Sequence, residues 1–276
     1  MAAKGAPGEE ATRWHGHPPE VWRERWGVPA LRIFHSVGST NDVARALAEA
    51  GARAGTAVLA DEQTRGRGRR GRAWTAPGGH GLLLSIVLHP GAAAAGVLPL
   101  RVGLAAARAV EALAGIPVAI KWPNDLMVGG RKLGGVLCEG AGEGGRSAFV
   151  VAGIGLNVLQ RAHDWPPELR ARATSIAAET GRAVEIPDLA GRVLADVSMA
   201  IAAGGEVLDG EETDALARRD PLRGRNVVVD GRPAGRAAGI DREGALLVQH
   251  DGATRRIISG TVRLADSGAA RESDDA

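Results

Sequence analysis

Apolar positions along this chain fall into short blocks of two kinds. Residues 31–35, 56–61 and 82–88 are apolar runs or alternations of strand length. Between the first two, Val43, Ala44, Leu47 and Ala48 recur at helical spacing. Ser39 or Thr40 is placed to cap that helix, which runs to about residue 50. Leu98, Val102, Ala105, Ala109 and Leu113 mark a longer helix over 98–113. Residues 118–122, 132–139 and 148–158 read as strands, the first two separated by a Pro-Asn-Asp loop and a Gly129-Gly130 turn. Gly140 to Gly145 reads as a hairpin turn, and Pro187 opens a helix reaching residue 203. After Asp220-Pro221 the pattern changes: 226–230, 234–240, 245–250 and 254–264 are short strands between glycine-containing turns.

Strands interspersed with helices, several joined as hairpins, predict an α+β fold rather than a doubly wound parallel sheet. Four units follow. Residues 1–30 form a flexible N-terminal segment, in which Trp14, Trp22 and Trp26 sit on at most one short helix. The main domain spans 31–220, a small β-barrel spans 221–266, and 267–276 is a disordered polar tail. About thirty leading residues are too few for a helix-turn-helix domain, so no sequence-specific DNA partner is expected.

Composition narrows the function. Of 276 residues 45% are apolar, enough for a large core, and the formal charge of +2 gives no global field for nucleic acid. The single cysteine, Cys138, excludes an intramolecular disulfide, and the seven histidines show no metal-ligand spacing. No apolar run of about 18 residues and no secretory pattern occur, so a cytoplasmic protein without a membrane partner is expected.

Basic character is instead local. Arg65-Gly66-Arg67-Gly68-Arg69-Arg70-Gly71-Arg72 places five arginines in eight residues. Guanidinium groups this dense cannot share a core and require anions, while the glycines free the backbone to face a ligand. A mobile loop that becomes ordered around a phosphate or carboxylate is expected; a solvated, RNA-contacting patch is the alternative. The segment matches the dinucleotide pattern G-x-G-x-x-G only formally, because Arg72-Ala73-Trp74-Thr75-Ala76-Pro77 does not open a helix.

Other motifs are weaker when taken singly. Lys121-Trp122-Pro123-Asn124-Asp125 ends a strand and reads equally as an Asx turn or a ligand site, with Asp125 able to hold Mg²⁺ or a cation. Lys132 alone reads as a solvated lysine at a strand edge. Asn157, after Gly153-Ile154-Gly155, reads as a strand end or as an amide that faces a purine across an uncovered sheet. Ser39-Thr40-Asn41 is most simply a helix N-cap.

Taken in order, these segments resemble the biotin protein ligase family: Gly38-Ser39-Thr40-Asn41, Gln63 with the arginine-glycine run and Trp74, Lys121 to Leu126, Lys132-Leu133-Gly134-Gly135, Gly153 to Asn157, and Ser259-Gly260-Thr261-Val262. The resemblance implies a catalytic domain like that of class II aminoacyl-tRNA synthetases, with an SH3-like C-terminal barrel. It implies that biotin and ATP with Mg²⁺ give biotinyl-5′-AMP. A lysine of a biotin carboxyl carrier domain then takes the biotin. By the same resemblance Ser39, Thr40, Asn41, Gln63, Gly66, Arg67, Lys132 and Gly135 bind biotin, with Arg67 at its carboxylate. Arg69, Arg72, Trp74, Asn124, Lys132 and Asn157 bind the nucleotide, and Lys132, Arg67, Arg69, Arg72 and Asp125 carry the chemistry, Asp125 with the metal. Family members often dimerise through sheet edges, which leaves a homodimer open. Lipoate ligases share the catalytic fold and are the alternative.

Two departures from the family pattern concern the barrel end and the loop. Thr261 and Ala265 stand where the family usually has a glutamate and an arginine. Arg263 lies two residues from the latter place, about 7 Å along a strand. Thr64 and Arg65 stand where glutamine and a small residue are frequent.

Overall fold

The computed structural model describes residues 8–90, 96–141 and 149–265. The expected turn over 142–145 and the tail lie outside these residues. The first strand, β1 (Leu31–Val37), leads into helix α2 (Thr40–Glu49), preceded in the chain by α1 (Pro19–Trp26). There follow β2 (Ala57–Gln63), β3 (Gly81–Leu88) and the long helix α3 (Val97–Ala114). Strands β4 (Ala119–Lys121), β5 (Asp125–Val128), β6 (Arg131–Ala141) and β7 (Phe149–Asn157) complete the main sheet. Helices α4 (Pro167–Arg170), α5 (Ile176–Thr180), α6 (Ile186–Ala203) and α7 (Gly210–Arg219) come next. The C-terminal unit holds β8 (Asn226–Val229), β9 (Arg232–Ile240), β10 (Leu246–His250), β11 (Ala253–Ile257) and β12 (Val262–Leu264).

The main sheet runs β1-β2-β3-β7-β6-β5-β4. Among its described strands, β1 and β2 pair in parallel, because α2 carries the chain back between them; the other strand-to-strand pairings are antiparallel. Side chains alternate across the sheet. Phe34, Val58, Ala60, Val87 and Val151 meet Ala44 and Ala48 of α2 on one face. Ile33, Leu59, Leu84, Ile86 and Ile154 join the large core with α3 and α6 on the other. The result is a three-layer α+β domain in which β3 is buried along its whole length.

Residues 10–30 do not form the flexible segment that the sequence suggests. Trp14 and Trp22 are only 5% and 4% exposed. The Trp22 indole donates to the Trp14 carbonyl (2.8 Å), the Trp14 indole donates to Asp61 (2.7 Å), and Ala11 N–H reaches Ile33 O (2.8 Å). Trp26 lies against Gly191 of α6, where an added Cβ would approach it to 2.5 Å. The charges around the tryptophans are on the outer face, which hid their burial.

The C-terminal unit is a five-stranded antiparallel sheet in the order β11-β10-β9-β8-β12. The single strand expected over 254–264 is two, interrupted around Ser259-Gly260. Among the described residues no pairing joins the edge strands β11 and β12, so a closed barrel is not formed. Trp122, 2% exposed, donates to Gly244 O (2.9 Å) and ties this unit to the main domain.

Candidate active site

The connections of β1, β2 and β4–β7 converge on one cleft of about 800 Å³. Thirteen of the residues expected at a site line it: Ser39, Thr40, Asn41, Gln63, Arg67, Arg69, Arg72, Trp74, Asn124, Asp125, Lys132, Gly135 and Asn157. Gly66 does not; it sits behind the wall, where an added Cβ would meet Trp74 O at 2.4 Å.

One end of the cleft is uncharged and buried. Ser39, Thr40 and Asn41 are each 3–4% exposed at the start of α2. Ser39 occupies the N-cap position but its hydroxyl makes no capping bond. Gln63 Oε1 accepts from Thr40 N–H (2.8 Å) and from the Thr40 hydroxyl (3.0 Å). Asn41 Nδ2 donates to Glu139 (2.7 Å), which fixes which way its amide faces. Gly153 makes room for that amide, since a Cβ there would come within 2.2 Å of Asn41 Oδ1. Gly155 does the same for Trp74, at 2.7 Å from the indole. The two glycines therefore seat the protein's own side chains against the sheet, so these positions are not the uncovered sheet of the ligand alternative.

The other end is cationic. Lys132 Nζ lies 2.7 Å from Asp125 Oδ1 and 5.6 Å from the centre of the Trp74 ring. Arg69 makes no ion pair among the described residues; partial burial and the neighbouring Arg70 hold its pKa below the ordinary value. Burial likewise lowers the pKa of Lys121, which also lines the cleft. The Trp74 indole N–H is buried without a hydrogen-bond partner. A half-buried guanidinium without a carboxylate and an indole donor without an acceptor leave this end suited to an anionic ligand.

The arginine loop does not wait for a ligand to supply its anions. Arg67 donates both ends of its guanidinium to Asp42 (2.8 and 2.7 Å) and a third bond to Glu139 (3.2 Å). Its pKa is raised by the Asp42 hydrogen bond, and that of Asp42 is lowered by Arg67. Arg70, in the left-handed region at φ 57°, grips Asp230 (2.5 and 3.3 Å). Arg70 and Arg72 also reach the Thr261 hydroxyl at 3.4 and 3.3 Å. Asp230 also accepts from Thr261 N–H (2.8 Å), and so joins the loop to the C-terminal unit. The sequence could not place Asp42, Glu139 and Asp230 beside the loop, so the expectation of a loop ordered only by ligand is corrected.

Two more expectations change. Asn157 is 4% exposed and donates to Thr174 O (2.9 Å) and Lys132 O (3.5 Å), while Gln160 donates to its Oδ1 (3.4 Å). Its amide donors hold the walls of the cleft together and are not open to a purine. Asn124 similarly donates to Val136 O (2.8 Å), which locks the turn that presents Asp125. Cys138 is no nucleophile: burial pushes its thiol up to about 12, so almost no thiolate exists near neutrality. Among the described residues no cluster of three histidine, cysteine, aspartate or glutamate side chains could hold a metal by itself. No described helix is long and apolar enough to cross a membrane.

Comparison with known proteins agrees with this geometry. Residues 33–157 match the model of the Biotin/lipoate A/B protein ligase family, and 224–264 match that of the Biotin protein ligase C terminal domain. The bifunctional ligase/repressor BirA of Bacillus subtilis is 34% identical over 242 residues, covering 84% of this chain and 73% of its own. The biotin–[acetyl-CoA-carboxylase] ligase of Mycobacterium tuberculosis is 34% identical over 251 residues, covering 87% and 89%. The solved biotin protein ligase from Aquifex aeolicus, in complex with biotin and ATP, superposes with a TM-score of 0.75 at 30% identity, covering 86% of this chain and all of that one. Fold and cleft together define a ligase of the biotin/lipoate type. The chain belongs to the biotin protein ligase family.

Proposed function

We propose that this protein joins biotin to a specific lysine of a biotin carboxyl carrier domain, using ATP. The observation that carries the reading is one cleft with two unlike ends. The buried hydroxyl and amide groups of Ser39, Thr40, Asn41 and Gln63 suit the uncharged ureido ring of biotin, and Arg69, Arg72, Lys121 and Lys132 suit carboxylate and phosphates. The matched C-terminal module, read as SH3-like, favours biotin over lipoate.

The chemistry follows from bringing two anions together. The biotin carboxylate attacks the α-phosphorus of ATP, a C–O–P bond forms, the bond to the β-phosphate oxygen breaks and pyrophosphate leaves. Arg69 and Lys132 neutralise the charge that gathers on the non-bridging oxygens. The carrier lysine, as its neutral amine, then attacks the acyl carbon; AMP leaves and the amine proton passes to solvent. Lys132 stays beside the departing phosphate. Mg²⁺ suits the cationic end only as an ion carried by the phosphates, because Asp125 offers one carboxylate and already faces Lys132. Asp125 is the residue that would touch it, and the metal would supply charge neutralisation.

Arg67 does not take the role at the biotin carboxylate, since three of its five N–H donors already hold Asp42 and Glu139. Arg69 takes it instead, and Arg67 fixes the loop. Incubation with biotin, MgATP and a purified carrier domain should add one biotin mass to one lysine, and nothing without ATP. Transfer of lipoate in preference to biotin would overturn the reading.

A further inference from the structure

Strand β3 is apolar along its length except at one residue. Ser85 is completely buried, between Val58 of β2 and Gly153 of β7. Its hydroxyl oxygen lies 2.7 Å from Thr40 Oγ1 and 2.6 Å from Asn41 Oδ1. Asn41 must present its oxygen here, because its Nδ2 donates to the Glu139 carboxylate. Ser85 has one proton, and two oxygens compete for it.

The competition defines two arrangements. In the first, Ser85 donates to Thr40 and Thr40 donates to Gln63 Oε1. Gln63 Oε1 then has both lone pairs filled, by the Thr40 hydroxyl and by Thr40 N–H. In the second, Ser85 donates to Asn41 Oδ1 and Thr40 donates back to Ser85. That frees one lone pair of Gln63 Oε1 toward the cleft. A cyclic urea carries N–H donors and needs such an acceptor, so its binding selects the second arrangement.

We propose that Ser85 is a positioning residue for ligand recognition: it receives the Thr40 proton and thereby lets Gln63 accept an N–H of the ureido ring. The inference rests on the reading of the cleft as a biotin site. Removing Ser85 locks the Thr40 proton on Gln63, so a ureido N–H finds no free lone pair on Gln63 Oε1. A buried donor left unpaired corresponds to roughly a ten- to hundredfold loss of affinity. The effect should pass through Gln63 alone.

Calorimetric titration with biotin of the full chain, Ser85→Ala, Gln63→Ala and the double variant tests this. Ser85→Ala should weaken biotin about ten- to hundredfold in the parent chain. In the Gln63→Ala background it should add less than about threefold. Fully additive losses would show a merely structural serine and overturn the proposal. Ser85→Cys retains the volume with a weak acceptor, so it should weaken biotin in the same direction should the alanine variant fail to fold; unchanged affinity in it would also overturn the proposal. Absence of biotin binding by the parent chain is a different result, and it would instead remove the biotin reading.

Discussion

At the scale of single residues, the cleft separates cations that are already paired from cations that are not. Among the described residues Lys132 pairs only with Asp125, and it faces Trp74. Lys132→Ala is therefore expected to lower biotin- and ATP-dependent pyrophosphate exchange about 10²–10³-fold, the range for losing one group aimed at developing charge. Biotin affinity should change far less, and calorimetry beside the exchange assay separates the two. Arg69 and Arg67 should also part company. Arg69→Ala is expected to release biotinyl-AMP about tenfold faster or more, in line with a lost charge-assisted bond, while Arg67→Ala acts by freeing the loop; single-turnover trapping of the adenylate would reveal equal release from both, contrary to this account. Lys121 adds a pH dependence. Burial lowers its pKa below 10.5, so its charge is lost at lower pH than that of an ordinary lysine. The folded protein binds this proton more weakly than the unfolded chain does, so ligand-free stability rises as pH climbs from the folded value toward 10.5. Catalysis moves the opposite way, because the cation helps the phosphates. Exchange activity should fall on the alkaline side, and Lys121→Arg should carry that fall to higher pH. An identical alkaline limb in the arginine variant would exclude Lys121 from the reaction.

At the scale of elements, the arginine loop is a strap fastened at both ends. Arg67 holds it to α2 and β6, and Arg70 holds it to the β8–β9 turn through Asp230. The second fastening is exposed, and exposed ion pairs contribute little individually. Asp230→Ala should accordingly leave unfolding nearly unchanged, yet quicken trypsin cleavage within 67–72 and adenylate escape by roughly two- to fivefold. Cleavage no faster than in the parent chain would show that the first fastening suffices. Most elements here were legible from periodicity alone: β1, α2, β2, β3, α3, β6, β7 and α6 fall within a few residues of their expected places. What was not legible had a weak or unused local signal. Strand β5 is four residues long and looked like part of a loop around Pro123. Helix α7 has a low apolar content, although Asp209 and Glu212 form a reciprocal cap: Asp209 accepts from Glu212 N–H (2.8 Å) and Glu212 accepts from Asp209 N–H (3.0 Å). The residues that line the cleft could be picked out because they cluster in short motifs. Their partners could not, since Asp42, Ser85, Glu139 and Asp230 meet those motifs only through the sheet register and the C-terminal unit.

At the scale of the whole molecule, the cleft depends on segments that contribute nothing to it chemically. The N-terminal tryptophans cover one edge of the main domain. Trp14 stands 5.9 Å from Trp22 and 6.0 Å from Trp26, edge to face with both, and Trp22 stacks on Trp26 at 5.5 Å. Through its indole Trp14 also holds Asp61, which pairs with His35 (3.0 Å). Asp61 lies on β2, two residues before Gln63, so the tryptophan cluster braces the strand that delivers a cleft-lining amide. Truncating a buried tryptophan costs about 3–5 kcal/mol, a large share of the 5–15 kcal/mol that holds a typical domain together. Trp22→Ala is expected to destabilise the protein by that amount in denaturant titration. At a temperature where the variant is still folded, its KM for ATP should match the parent, because Trp22 is not among the residues that line the cleft. A variant that unfolds like the parent would mean that the N-terminal segment merely rests on the domain, as its charged composition suggests. A variant of unchanged stability but impaired biotin binding would instead place the tryptophans in recognition, against their position behind β1.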